Sequence, residues 1–306
     1  MGKTESWFWY FAWFITAVAV VGNALVIFLI TTKHHLQKKP NWFILSLAIA
    51  DLFVGFTFIP PFYACWKWFP CSKDVWFVRQ TIKWTFLYVS VSNLFTLTLD
   101  RYIALTSPLR HKWLVTPTRI ALSVITAWIV PVISRVCIFA PVHFSSEATA
   151  SKYLVPVFLV MFELVPCILL SCFTFHMVYI VRKRRQSSRT IEDSSRELRS
   201  LNLRIHIRDD GRANYNIRIV VSVVGLFILC YSLDIYICFC DIFSLSKISR
   251  QLWYVRHLLL VTNSALNPIA YALLKRDIRQ AILALGRVHS NTRVTPSTEN
   301  RELHFI

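Results

Sequence analysis

Asp51 is the one charged residue between Lys39 and Lys67, in a stretch that otherwise reads as apolar. A carboxylate so placed costs at least about 2.5 kcal/mol at the centre of a bilayer, so it has to face inward and meet polar partners. Ser90, Asn263, Ser264 and Asn267 offer hydroxyl and amide oxygens from two other apolar runs. Oxygen ligands around one carboxylate suit a small hard cation or a water cluster, and a purely structural polar network fits the same pattern. Lys83, Glu163, Asp234 and His257 form a second set on four different runs. Two acids, an amine and an imidazole at one level line a polar cavity, the default place for a ligand. Lys83 with His257 suits a carboxylate or phosphate, and Asp234 or Glu163 an amine. The alternative is that Lys83 and Asp234 form a structural ion pair. Enzyme chemistry would need a nucleophile with its base or a metal cluster, and neither grouping is present. The eight cysteines lack metal-ligand spacing and mostly lie inside apolar runs, so neither a zinc site nor a disulfide framework is indicated.

These residues need elements that can hold them in an apolar solvent. Of 306 residues 55% are hydrophobic and only 16% charged, with a mean hydropathy of +0.49. Windows of about 19 residues give seven spans, near 7–31, 41–65, 75–105, 118–141, 153–181, 217–240 and 252–274. Alternating barrel strands are absent, so the spans are helices, and the expected fold is an all-α, integral membrane seven-helix bundle. Residues 1–6 read as a short outer terminus, 7–274 as the bundle, 275–286 as an amphipathic helix and 287–306 as a flexible tail. Counting about 1.5 Å per residue puts Asp51, Ser90 and Asn267 roughly 15, 16 and 10 Å above the cytoplasmic side. The second set lies at roughly 25 to 28 Å. Arg79 and Arg256 are close enough to a span end to snorkel.

The net charge of +18 would fit a nucleic-acid binder, but its distribution points elsewhere. Of the 34 Lys and Arg, 23 fall on the side of the first, third and fifth loops and the tail, and 6 on the other. The positive-inside rule then places the N-terminus outside and the tail in the cytoplasm. The expected partners are the bilayer and not nucleic acid.

Several short motifs fall in one order along these spans: Gly22-Asn23, Ser46 to Asp51, Asp100-Arg101-Tyr102 with Ser107 to Arg110, Trp128, Pro166, Phe227-x-x-Cys230, and Asn263 to Tyr271 with Asn267-Pro268 inside it. Over about residues 7–286 the chain resembles rhodopsin-like (class A) G-protein-coupled receptors. The resemblance implies an extracellular ligand, a heterotrimeric G protein, arrestin and a plasma-membrane location. It implies an allosteric sodium ion among Asp51, Ser90, Asn263, Ser264 and Asn267 and no other cofactor. It also implies that Asp100 restrains Arg101 at rest, that Leu109 enters the G protein, and that Tyr102, Phe227, Pro268 and Tyr271 join the activating rearrangement. The stretch after the fifth span reads as a solvated linker; the alternative is that its serines from Ser187 to Ser195 and the tail's Thr295, Ser297 and Thr298 accept phosphates for arrestin.

Departures from the family pattern carry their own expectations. Tyr231, counted with the ligand pocket, and Leu233 stand where the family usually has Trp and Pro, so span six should lose its proline kink. Trp76 takes the usual cysteine position atop span three, so the common outer bridge should be missing. Lys83 replaces the acid of amine receptors, which argues against a monoamine held in the usual way. Residues 252–274 contain no lysine, which argues against retinal. A seven-helix transporter or channel is the alternative, although such proteins usually show repeated halves, and none is apparent.

Overall fold

The structure is a computed structural model, and it describes residues 6–68, 71–114, 116–139, 148–194 and 202–292. All of its regular elements are helical. The spans are α1 (Ser6–Thr32), α2 (Lys39–Lys67), α3 (Lys73–Thr106), α5 (Pro117–Ile133), the broken pair α6 (Ala148–Leu159) and α7 (Val165–Ser194), α8 (Asn202–Phe243) and α9 (Arg250–Leu274). A short α4 (Pro108–Leu114) follows α3, and α10 (Arg276–Thr292) follows α9.

Six of these helical stretches are long and apolar enough to cross a membrane, and α3 is not among them. Its place in the bundle explains why. It packs against α2, α5, α7 and α8, so lipid does not surround it and Arg79, Lys83, Asp100 and Arg101 are tolerated along its length. Ser72 caps its start by accepting from the Val75 N–H at 3.3 Å. Between α1 and α9 the backbones approach so closely that a Cβ on Gly22 would lie 2.7 Å from Cγ of Pro268. Such closeness suits membrane helices, whose association rests on packing and not on hydrophobic expulsion from water.

Two π-helical stretches interrupt the regular pattern, Ser134–Phe139 at the end of α5 and Val160–Leu164 between α6 and α7. Extra residues in a turn change which side chains face inward. Arg135 lies in the first stretch and Glu163 in the second, and both are buried.

Several sequence expectations need correction here. The stretch after the fifth span reads as a linker, yet α7 continues to Ser194 and α8 begins at Asn202, so most of it is helix. The amphipathic helix runs beyond residue 286 to Thr292. Cys65 and Cys71 form a disulfide, contrary to the expectation of none. It staples the turn from α2 to α3. The expected outer terminus (except Ser6), Ser195, Thr295, Ser297 and Thr298 lie outside the described residues.

Candidate functional site

The inner polar layer is built around Asp51, which is fully buried on α2. Ser90 Oγ of α3 donates to its Oδ1 at 2.6 Å, and Ser264 Oγ of α9 donates to the same oxygen at 2.8 Å. Asn267 Nδ2 donates to Oδ2 at 2.7 Å. Three helices thus meet at one carboxylate, carried by α2 and bound by three neutral donors from α3 and α9. Asn23 Nδ2 of α1 joins them by donating to the Ser264 carbonyl at 3.1 Å. Asn263 is buried on the same helix as Ser264, but it makes no bond to Asp51, and its Oδ1 meets no donor among the described residues. A neighbouring chain of bonds, which the sequence does not announce, runs from Trp128 Nε1 to Ser46 Oγ at 3.0 Å and on to Asn93 Oδ1 at 2.6 Å. It ties α5 and α2 to α3.

At the end of the bundle where α3 gives way to α4, Asp100 Oδ2 lies 3.8 Å from Arg101 Nη1, and its Oδ1 lies 3.1 Å from Nε2 of His111 on α4. Arg101 also reaches the Pro40 carbonyl at 3.5 Å. Tyr102 Oη and His176 Nδ1 are 3.0 Å apart, linking α3 to α7. Leu109 is 77% exposed on an otherwise basic stretch. Lys275, between α9 and α10, is buried and donates to Asn41 Oδ1. Burial beside Arg101 pushes its ammonium down to about 7. Phe227 and Tyr271 are fully buried, and the Tyr271 hydroxyl meets no partner among the described residues.

The outer layer is a cavity of about 330 Å³ whose lining includes Lys83, Trp84, Arg135, Glu163, Arg256 and His257. Asp234 and Tyr231 do not line it. Tyr231 is buried beneath, its ring 4.5 Å from that of Phe227. The expected pairing of Lys83 with Asp234 is replaced: Arg256 Nε donates to Asp234 Oδ1, and Arg256 Nη2 lies 3.3 Å from Cys238 Sγ. The snorkelling expected of Arg256 and Arg79 also fails, because both turn inward. Arg256 was detectable. It lies seven and eleven residues before Asn263 and Asn267, on the same helical face as those inward amides. His257 Nδ1 is 2.9 Å from the Trp253 carbonyl, and its ring packs 3.8 Å from the Trp253 ring. Glu163 accepts a long bond, 3.4 Å, from the Tyr88 hydroxyl.

Known proteins carry this arrangement. The family described as "7 transmembrane receptor (rhodopsin family)" matches residues 22–271. The chain is 31% identical over 285 residues to the histamine H2 receptor of Homo sapiens, covering 86% of this chain and 74% of the relative. It is 28% identical over 289 residues to the histamine H2 receptor of Canis lupus familiaris, covering 88% and 76%. The adenosine receptor A3 of Ovis aries is 25% identical over 312 residues, covering 92% and 91%. These relatives are receptors and not enzymes, and they weigh against the transporter reading. With six apolar helices beside α3 and a family match over most of its length, the chain belongs to the rhodopsin family of seven-transmembrane receptors, the class A G-protein-coupled receptors.

Proposed function

We propose that the chain sits in the plasma membrane with its N-terminus outside, takes a small ligand into the outer cavity, and passes the event along α3 to a heterotrimeric G protein. The observation that carries this reading is the single helix joining both ends. Lys83 lines the cavity and Arg101, eighteen residues on, lies against Asp100 at the cytoplasmic end. Asp100 holds Arg101 at rest through a charge-assisted contact, with His111 sharing the carboxylate. Exposed Leu109 is placed to enter an apolar pocket on the G protein. The run from Arg182 to Arg185 anchors the inner surface to anionic lipid, at about 1 kcal/mol per residue. Phosphorylated serines near it and in the tail would recruit arrestin.

Asp51 with Ser90, Ser264 and Asn267 fits a sodium ion by the chemistry of its donors, since a carboxylate, hydroxyls and amide oxygens are what a hard cation takes. The unmatched Oδ1 atoms of Asn263 and Asn23 support the same reading. Sodium would supply positive charge against the Asp51 carboxylate and hold α2, α3 and α9 together. Histamine and adenosine are named for the relatives. A monoamine held in the family's usual way would need an acid where this chain has Lys83.

The test is basal nucleotide exchange on G proteins in membranes expressing the chain. Asp100→Asn is expected to raise it and Arg101→Ala to abolish it, with ligand binding largely kept. A chain that reaches the cell surface and shows no change with either substitution, across all G-protein classes, does not signal as proposed.

A further inference from the structure

If the outer cavity is the ligand site, its charges are unequally served, and that inequality selects the ligand. Arg79 and Lys83 are four residues apart and therefore neighbours on one face of α3. They are 9% and 2% exposed. Neither makes a hydrogen bond or an ion pair among the described residues. What they have is ring faces: the Arg79 guanidinium lies 5.1 Å from Phe62 and 5.9 Å from Trp76, and the Lys83 ammonium 4.9 Å from Phe58 and 4.7 Å from Trp84. A ring face returns about 0.5 to 2 kcal/mol, against several kcal/mol for taking a cation out of water. Two like charges so close also repel.

The acids nearby do not close this gap. Asp234 gives Oδ1 to Arg256 and makes no ion pair with Lys83, and it does not line the cavity. Glu163 lies beside Asp234, and one of its oxygens is engaged by Tyr88. The cations that line the cavity are Lys83, Arg135 and Arg256, with Arg79 one turn along α3 outside the lining; the Arg135 guanidinium lies 5.4 Å from the Phe158 ring and Arg256 is taken by Asp234. The acids Glu163 and Asp241 line the cavity too, but Lys83 has no acid in ion-pair contact and meets only flat rings there. The volume of the cavity is at the small end of ligand pockets, which run from about 300 to 1,000 Å³.

We infer that the ligand is a small organic anion, a carboxylate on a flat apolar body, whose charged end seats against Lys83. The body lies among Trp84, Phe158 and Trp253, and a peptide is too large for the space.

The inference is tested by thermal unfolding of the purified full chain with matched probes that differ only in their charged end, indole-3-acetate against tryptamine and benzoate against benzylamine. At least one carboxylate should raise the melting temperature while its amine partner does not. Lys83→Gln should weaken that carboxylate about tenfold to a hundredfold, the worth of one charge-assisted hydrogen bond. Lys83→Arg, which keeps the charge, should retain it and covers the case in which Lys83→Gln fails to fold. Stabilisation by the amines, by neither class, or by carboxylates equally in the Lys83→Gln chain overturns the inference. Carboxylate binding that persists while Arg101→Ala leaves nucleotide exchange unchanged would overturn the receptor reading and leave this one standing.

Discussion

The inner and outer halves of the bundle handle buried charge in opposite ways. Around Asp51 one carboxylate takes three neutral donors from α3 and α9, and both of its oxygens are engaged. Around the cavity several charges of both signs share too few partners. Arg256 and Asp234 pair, Lys83 and Arg79 rest on rings, and Glu163 Oε2 meets no donor among the described residues. Around Asp51 the charge is fully met, and what stays open beside it is neutral, the Oδ1 atoms of Asn263 and Asn23. A set of charges left open is costly until something arrives to complete it. The same fold therefore keeps its charge-matched polar layer deep and its unfinished one near the entrance.

The sharpest way to break the contrast is to remove one partner of the outer pair. Asp234→Ala leaves Arg256 buried without its carboxylate and should cost about 3 to 5 kcal/mol of stability. Adding Arg256→Leu should restore most of it, as measured by unfolding of the purified chain. If the single variant is as stable as the parent, the outer half has other ways to neutralise Arg256.

A smaller effect is expected in the inner half. If sodium binds beside Asp51 as proposed, it should favour one conformation, and agonist affinity should fall as sodium rises, with a coupling of about 1 to 3 kcal/mol. Asp51→Asn should abolish that dependence in a binding assay run at constant ionic strength. An unchanged sodium response would make the inner layer purely structural.

At the rim where α9 meets α10 the effect is smallest when read over one pH unit. Lys275 has its ammonium lowered by burial from 10.5 to about 7. Between those values an exposed Lys275 carries a proton and the buried one does not, so the buried form gains as pH rises and loses as pH falls toward 7. Stability should rise by at most about 1.4 kcal/mol per pH unit across that window, and Lys275→Met should flatten the slope.

Most of the inner layer was legible in the sequence because depth alone decides it. Asp51, Ser90 and Asn267 stand at matching heights on runs too apolar to leave a polar side chain facing lipid. Height says nothing about the direction a side chain takes around the helix, and the outer layer depends on that direction. Arg256 and His257 are adjacent and share a height, so counting treats them alike, while successive residues point about 100° apart. Arg135 and Glu163 were harder still, since each sits in a π-helical stretch that resets the direction. The Cys65–Cys71 bridge escaped because Cys65 ends an apolar run and the family's usual bridge position holds Trp76. Two cysteines six residues apart across an outer turn were the available signal.

The missing proline in α8 has a mechanical consequence. A kinked helix can swivel at its bend, so that one half moves while the other stays. α8 runs unbroken for 42 residues, a rod about 63 Å long at 1.5 Å per residue. A rod pivoting near its outer end displaces its far tip by about 1 Å for each degree of tilt at that length. A change no larger than the reseating of one side chain against Asp234 would then be geared up into a movement that a protein docked at the inner membrane face can read.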